Sequence, residues 1–433
     1  MHHSLDRLSN TLVHDAESQQ GQQQAQIVKP VHDIGEILRG VDLDKYGLSH
    51  HQKRVLWALR DCRTAALGGH IDACDACGVV KISYNSCRNR HCPKCQGIEK
   101  EAWILAREEE LLPVTYFHVV FTLPHELNDL CRFAPSVMYD LLFNSAKQTL
   151  QQFGRDERWL GAEIGVTMVL HTWGQNLSLH PHVHCIVPNG GLKKDGTWQF
   201  PKRGNDKFLF PVLAMQSVYK AVFMKDLNAL IHANALNLPP DFSVEKPVYK
   251  EWKNALYAKN WVIYAKRPFG GPKQVIDYLG RYTHKVAISN QRIKAADTEG
   301  VTFEYKDYKV GGEKKDMRLT TAEFIHRFAQ HILPPKFRRL RHYGFLSNAA
   351  KGKSLQKARK ALKVKQTALL DKAARRAAAK ERLLGQQPNR CPCCKTGTLI
   401  RIGLLPPMAH QAESMGRAPP VEGAELKDVI WVL

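Results

Sequence analysis

The sequence predicts an α+β protein: an antiparallel sheet with helices on one face, a small cysteine-rich domain ahead of it and a basic helical tail behind it. Three observations predict this class. Two strand-like runs, residues 165–171 and 180–188, flank a polar loop holding Gly174, Gln175 and Asn176, which is a hairpin signature. Other stretches keep apolar residues at helical spacing. Most of the eleven cysteines cluster, many as pairs with two residues between them.

Taken in chain order, residues 1–35 read as a disordered arm, because Ser18-Gln19-Gln20-Gly21-Gln22-Gln23-Gln24 cannot bury a core. Residues 36–112 form a helical and metal-binding domain, entered by helices marked by Ile34, Ile37, Leu38, Val55, Leu56 and Leu59. Cys74-x-x-Cys77 and Cys92-x-x-Cys95 enclose fourteen residues, close to the spacing of a four-thiolate structural zinc site; a reduced, unmetallated cluster is the alternative. Cys62, His70, Cys87 and His91 are further candidate ligands that either replace one of the four or build a second site. Arg88, Arg90 and Lys94 place positive charge on this module, where DNA phosphates would be met. Residues 99–112 read as a charged helix.

Residues 113–310 form the central domain. A buried strand at 116–123 and a helix at 136–153 precede the hairpin. His182 and His184 flank Val183, so both imidazoles leave one face of a strand while Val183 enters a core. An antiparallel return brings His171 beside them, giving three neutral nitrogen ligands and leaving positions open for a substrate oxygen. His180 precedes Pro181 and belongs to the loop. A pair of solvated strand histidines is the plain alternative. A helix at 211–234 and a strand at 261–265 follow. Within residues 271–285, Pro272 starts a helix that buries Val275, Ile276 and Leu279. Tyr278 and Tyr282 share its flank with Gln274, Arg281 and Lys285. Two hydroxyls beside two cations suit phosphodiester chemistry, whereas two half-buried tyrosines bordering a core are the plain alternative. Residues 285–289 resume a strand.

Residues 311–350 continue as a strand and helix extension, with 301–308 and 317–320 as a strand pair and 321–332 as a helix. Residues 351–385 read as a basic helix, since 351–382 hold twelve Lys/Arg against two acidic residues; solvation of an exposed face and DNA contact both account for it. In the tail, 386–433, Cys391-Pro392-Cys393-Cys394 looks like half a zinc ribbon with no clear second half downstream; a contribution from His410, a distant partner and no metal at all stay open.

The net charge of +22 over 433 residues favours a polyanionic partner. No apolar run approaches the roughly 20 residues of a membrane span, and the N-terminal segment lacks the apolar core of a secretory signal, so a cytoplasmic location is expected. No Gly-x-x-x-x-Gly-Lys-Ser/Thr loop is present, so the chemistry does not call for ATP.

Together these motifs resemble the two-tyrosine rolling-circle transposases of bacterial insertion sequences, members of the HUH (His-hydrophobe-His) endonuclease superfamily. The resemblance covers most of the chain, from the cysteine-rich region through HTWGQNLSLHPHVHCIVPNGG (from His171) to YLGRYTHKVAISNQRI (from Tyr278). It implies an HUH-endonuclease-like sheet, His182 and His184 as ligands of Mg2+ or Mn2+, and Tyr278 and Tyr282 as paired nucleophiles that cut single-stranded or hairpin DNA ends through a 5′-phosphotyrosine. It implies zinc binding and DNA recognition by the cysteine-rich domain, a bacterial cytoplasmic setting, and host polymerase as the user of the freed 3′-hydroxyl. The spacing from His171 is similar to that of conjugative relaxases; Gln274, Asp277 and His284 remain alternatives for the third ligand. Two other readings stay open: a replication initiator or relaxase of the same superfamily, and a non-catalytic zinc-dependent DNA-binding protein.

Overall fold

The structure is a computed structural model that describes residues 30–203, 209–266, 276, 280, 286–364, 370–384 and 389–408. Helices α1 (Ile34–Arg39) and α2 (His50–Arg60) open the described chain. Strands β1 (Gly69–Cys74) and β2 (Val80–Tyr84) precede α3 (Gln96–Glu108) and β3 (Tyr116–Thr122). Next come α4 (Asn128–Phe133), α5 (Pro135–Arg155), β4 (Gly165–Trp173) and β5 (Leu179–Pro188). A two-stranded ribbon, β6 (Gly191–Leu192) and β7 (Trp198–Gln199), leads to α6 (Val212–His232), α7 (Lys246–Ala258) and β8 (Ile263–Lys266). Then follow β9 (Ile293–Ala296), β10 (Gly300–Asp307), β11 (Glu313–Thr320), α8 (Thr321–Ala329) and β12 (Leu340–Gly344). The last elements are α9 (Lys351–Ala361), α10 (Lys372–Leu384) and β13 (Leu399–Leu405).

The chain divides into two units, residues 1–60 with 88–388, and residues 61–87 with 389–433. In the larger unit, a five-stranded sheet runs in the order β12-β4-β5-β3-β8, every neighbouring pair antiparallel. Alternation along its strands separates two faces. Phe117, Val119 and Phe121 of β3, Val166, Met168 and Leu170 of β4, and Val183, Cys185 and Val187 of β5 enter one core. Met138, Leu142 and Phe143 of α5 and Tyr219 and Phe223 of α6 close it. Pro135 occupies the first turn of α5, where its missing N–H costs no hydrogen bond.

The other face is also partly covered. Tyr116 and Ile186 pack there with Ile104 of α3, Ile276, Phe345, and Leu355 and Ala358 of α9. Helices therefore lie against both faces, where the sequence suggested one. Alternation alone marks which residues leave a strand together, but not what later covers them. A second antiparallel sheet, β11-β10-β9, carries α8 through Phe303 and Phe324.

Several boundaries differ from the sequence reading. The ordered fold begins before residue 36: Asp33 caps α1 in a capping box with Glu36. Residues 286–289 are not a strand but a bend whose Val286, Ala287 and Ile288 are buried, so their apolar pattern reports packing without a ladder. The single basic helix is two, α9 and α10. The second lies along α3, where Arg375 pairs with Glu109 at 2.7 Å, Arg376 with Glu99 at 2.8 Å and Arg382 with Glu108 at 3.2 Å. Part of the basic tail is thus neutralised by the acidic helix that leaves the cysteine-rich region. Among the described residues, no helix is long and apolar enough to cross a membrane.

The smaller unit is a three-stranded antiparallel ribbon in the order β13-β1-β2, with Cys74 opposite Leu399 and Gly69 opposite Leu405. Strands from the first and last parts of the chain thus pair directly, which separation along the sequence conceals.

Candidate metal centre

Because β5 sends Val183, Cys185 and Val187 into the main core, His182 and His184 leave on the opposite face. The β4–β5 register sets His171 directly across from His182. Ring centroids lie 4.6 Å apart for His171–His184, 4.9 Å for His182–His184 and 5.5 Å for His171–His182, with planes crossing at 63°, 67° and 80°. One nitrogen of each ring lies within 4.8 Å of the other two. Converging neutral imidazoles with crossed planes suit a divalent cation. His171 and His184 are 2% and 6% exposed and His182 is half-buried, so the cluster opens on the His182 side.

Contacts outside the triad orient its rings. His182 Nδ1 donates to the His180 carbonyl at 2.6 Å, and His184 Nδ1 lies 2.8 Å from His118 Nε2. Both contacts engage Nδ1, so Nε2 is the nitrogen that would ligate, the arrangement of ligating histidines whose second nitrogen is held by a neighbour. These residues therefore fit a bound divalent ion. Trp173 stacks on His171 with centroids 4.7 Å apart and planes 17° apart.

The hairpin tip is held from elsewhere in the same unit. Leu177 is buried at φ 63°, and its carbonyl accepts from His331 Nε2 at 3.1 Å and Gln330 Nε2 at 3.2 Å. Arg327 donates to the Asn176 carbonyl at 3.1 Å. Burial pushes His331 down to about 4, so it stays neutral.

His118 and Trp173 were not singled out from sequence. His118 shares the alternation of β3, and the β3–β5 register, with Val120 opposite His184, brings it onto the same face.

Tyr278, Tyr282, Arg281 and Lys285 lie outside the described residues, as do Gln274, Asp277, His284 and His410. Within that segment Ile276 and Gly280 are helical, and Ile276 is buried. A Cβ at Gly280 would collide with the Ile104 side chain of α3. Close helix approach is the reason for a residue that costs about 1 kcal/mol in a helix.

The thiols are grouped differently from the spacing argument. Cys74 and Cys77 do not join Cys92 and Cys95 in one set; their neighbours are Cys391 and Cys394, with Cys74 Sγ 3.7 Å from Cys394 Sγ and Cys77 Sγ 3.8 Å from Cys391 Sγ. The β1–β13 pairing brings these pairs together, so the half ribbon near the end of the chain has its other half upstream. In the same unit, Cys62 is buried and its Sγ accepts the Cys87 N–H at 3.5 Å. His70 pairs with Asp72 at 3.3 Å. In the larger unit, Cys92 is buried and Cys95 precedes α3. His91 is buried and held well below its usual range by that burial and by nearby cations, Arg90 first. Neither His70 nor His91 joins a metal-ligating group among the described residues.

Two of the three cations expected to meet DNA in this region are engaged in the fold. Arg90 donates to the carbonyls of Phe337, Pro334 and Leu333 at 2.5, 3.0 and 3.5 Å. Lys94 pairs with the capping residue Asp33 at 2.9 Å. Arg88 is exposed, at φ 51°.

Two histidines flanking one hydrophobe on a central antiparallel strand, faced by a third, place the fold in the HUH class. Residues 165–354 match a family described as "Putative transposase", and residues 39–123 match one described as "Transposase zinc-binding domain". The chain is 43% identical to "Putative transposase y4qJ" of Sinorhizobium fredii over 363 residues, 83% of this chain and 90% of that protein. It is 30% identical to the transposase for insertion sequence element IS801 of Pseudomonas savastanoi pv. phaseolicola over 329 residues, 74% of this chain and 77% of that protein. Among solved structures, conjugative relaxase TrwC in complex with oriT DNA is similar at 14% identity and a TM-score of 0.22, over 39% of this chain and 72% of that one. The chain belongs to the two-tyrosine HUH rolling-circle transposases of insertion sequences, with their zinc-binding domain.

Proposed function

We propose that this transposase cuts and rejoins single-stranded DNA by tyrosine transesterification. The convergence of His171, His182 and His184, with Nδ1 of His182 and of His184 held from outside, carries the reading. A divalent ion, Mg2+ or Mn2+, held by the three imidazoles would polarise the scissile phosphate. Tyr278 and Tyr282 are the nucleophiles, and Arg281 and Lys285 favour their phenolate forms against a reference pKa of about 10. The phenolate oxygen bonds to phosphorus, the bond to the 3′-oxygen breaks, and that oxygen leaves as a hydroxyl after taking up a proton. The phosphotyrosine keeps the ester energy, so a later attack by a 3′-hydroxyl rejoins DNA without ATP. A second tyrosine lets the protein hold one cut end while cutting again. Host polymerase would extend the freed 3′-hydroxyl.

The partner DNA is single-stranded or a hairpin at the transposon ends, and Arg88 with the basic surplus contributes salt-sensitive affinity. Zinc belongs to the cysteine-rich domain.

The test is incubation of the full chain with a labelled single-stranded or hairpin transposon end and Mg2+ or Mn2+. A covalent adduct is expected, mapped by peptide mass spectrometry to Tyr278 or Tyr282 and absent from the Tyr278→Phe/Tyr282→Phe variant. No adduct under either metal, or an adduct that survives the double substitution, would overturn the proposal.

A further inference from the structure

Among its described residues, the smaller unit has almost nothing apolar to hold it together. Its buried residues among those described are Cys62, Cys74 and Cys391 with Gly68, Gly69 and Gly397. The apolar side chains of its strands are mostly turned to solvent: Val80 is 58% exposed, Ile82 55%, Ile400 53% and Ile402 62%. A three-stranded ribbon of this kind cannot rest on buried area, and small scaffolds in that position rely on a metal or disulfides.

The two Cys-x-x-Cys turns have the same construction. In the first, the Gly78 N–H donates to the Cys74 carbonyl at 3.0 Å and Gly78 sits at φ 68°. In the second, the Lys395 N–H donates to the Cys391 carbonyl at 3.1 Å and Lys395 sits at φ 58°. A lysine in the left-handed region is uncommon, and the matching position of the first turn is glycine. The turns are latched to each other: the Asp75 N–H donates to the Thr398 carbonyl at 3.1 Å, and the Thr398 N–H donates to Asp75 Oδ1 at 2.7 Å. The Gly397 N–H donates to Cys394 Sγ at 3.2 Å, as amides do to thiolates.

The four sulfurs lie within 4.8 Å of one another, with cross-turn separations of 3.7 and 3.8 Å. A disulfide needs about 2.05 Å, so these are not bonded pairs. A tetrahedral site with zinc–sulfur bonds of about 2.3 Å requires sulfurs about 3.8 Å apart. We propose that Cys74, Cys77, Cys391 and Cys394 bind one structural zinc ion, so that the far end of the chain completes the cysteine-rich module near its start. Binding replaces four thiol protons with the metal and couples the folding of the ribbon to zinc. The set differs from any confined to residues 39–123, and it does not depend on the chemistry of the histidine centre.

The test uses the full chain and measures zinc per chain by elemental mass spectrometry. Cys74→Ser/Cys77→Ser and Cys391→Ser/Cys394→Ser should each lose one zinc equivalent relative to the unsubstituted protein, and the fourfold variant should lose that same single equivalent. Cys394→His should keep the ion, since three thiolates and an imidazole also make a structural site, and this guards against loss through misfolding alone. Mn2+ affinity at the histidine centre should stay unchanged in all four variants. Full zinc retention in Cys391→Ser/Cys394→Ser, or loss of two equivalents in the fourfold variant, would overturn the proposal.

Discussion

His118 Nε2 lies 2.8 Å from His184 Nδ1, and the two rings are stacked with centroids 5.1 Å apart and planes 9° apart. If His184 ligates through Nε2, its Nδ1 carries the proton and donates it, so His118 accepts through Nε2 and keeps its own proton on Nδ1. His118 is thus a positioning residue that fixes a tautomer. His118→Ala should weaken Mn2+ binding about 10- to 100-fold by calorimetry with the melting profile preserved, and His118→Gln should recover part of it by accepting through its amide oxygen. Unaltered affinity in the alanine variant would remove this role.

Acid should loosen the catalytic unit. Burial pushes His331 down to about 4 and, with Arg107 and Lys351 alongside, His342 down to about 3, from an ordinary value of 6.5. Both are neutral when folded and take up protons when unfolded. Their stabilising effect is therefore complete above about pH 6.5 and is lost as pH falls through the folded values. For His331 the span corresponds to roughly 3 kcal/mol. Urea denaturation at stepped pH should show this decline, and His331→Gln should flatten it; an unaltered slope in the variant would contradict the account.

Arg88 and Arg90, two positions apart, should behave oppositely. Arg90→Ala strands three carbonyls and should destabilise the fold by about 1–3 kcal/mol while leaving the salt dependence of DNA binding alone. Arg88→Ala should leave the melting temperature unchanged and reduce the slope of log affinity against log salt by about 0.7 on single-stranded DNA. Reversal of the two phenotypes would reassign both residues.

The α10–α3 contact is electrostatic where α3 ends, since Arg375 and Glu109, the C-cap of α3, are 21% and 14% exposed and 2.7 Å apart. Arg375→Glu should destabilise the chain, and adding Glu109→Arg should restore it, with a coupling of about 1 kcal/mol in a double-mutant cycle. Additive effects would mean that the helix docks by other contacts.

Much was legible because it follows from local periodicity. The alternation around Val183 put His182 and His184 on one face, and the polar loop after His171 turned the chain back toward them. The long helices were readable for the same reason, since the 3.6-residue period of α5 and α6 is written in their own apolar residues. Residues 286–289 misled because burial produces a strand-like pattern whether or not a ladder forms.

What the sequence by itself determined was the chemistry available: imidazoles at alternating positions, thiols in pairs three apart, phenols four apart and a cationic surplus. Tertiary structure decided the partners. Strand register brought His118 to His184, and the pairing of β1 with β13 brought Cys391 and Cys394 to Cys74 and Cys77. Spacing along a chain constrains only residues within one element or turn. Contacts across more than three hundred residues depend on which strand edges meet, and no local pattern encodes that choice.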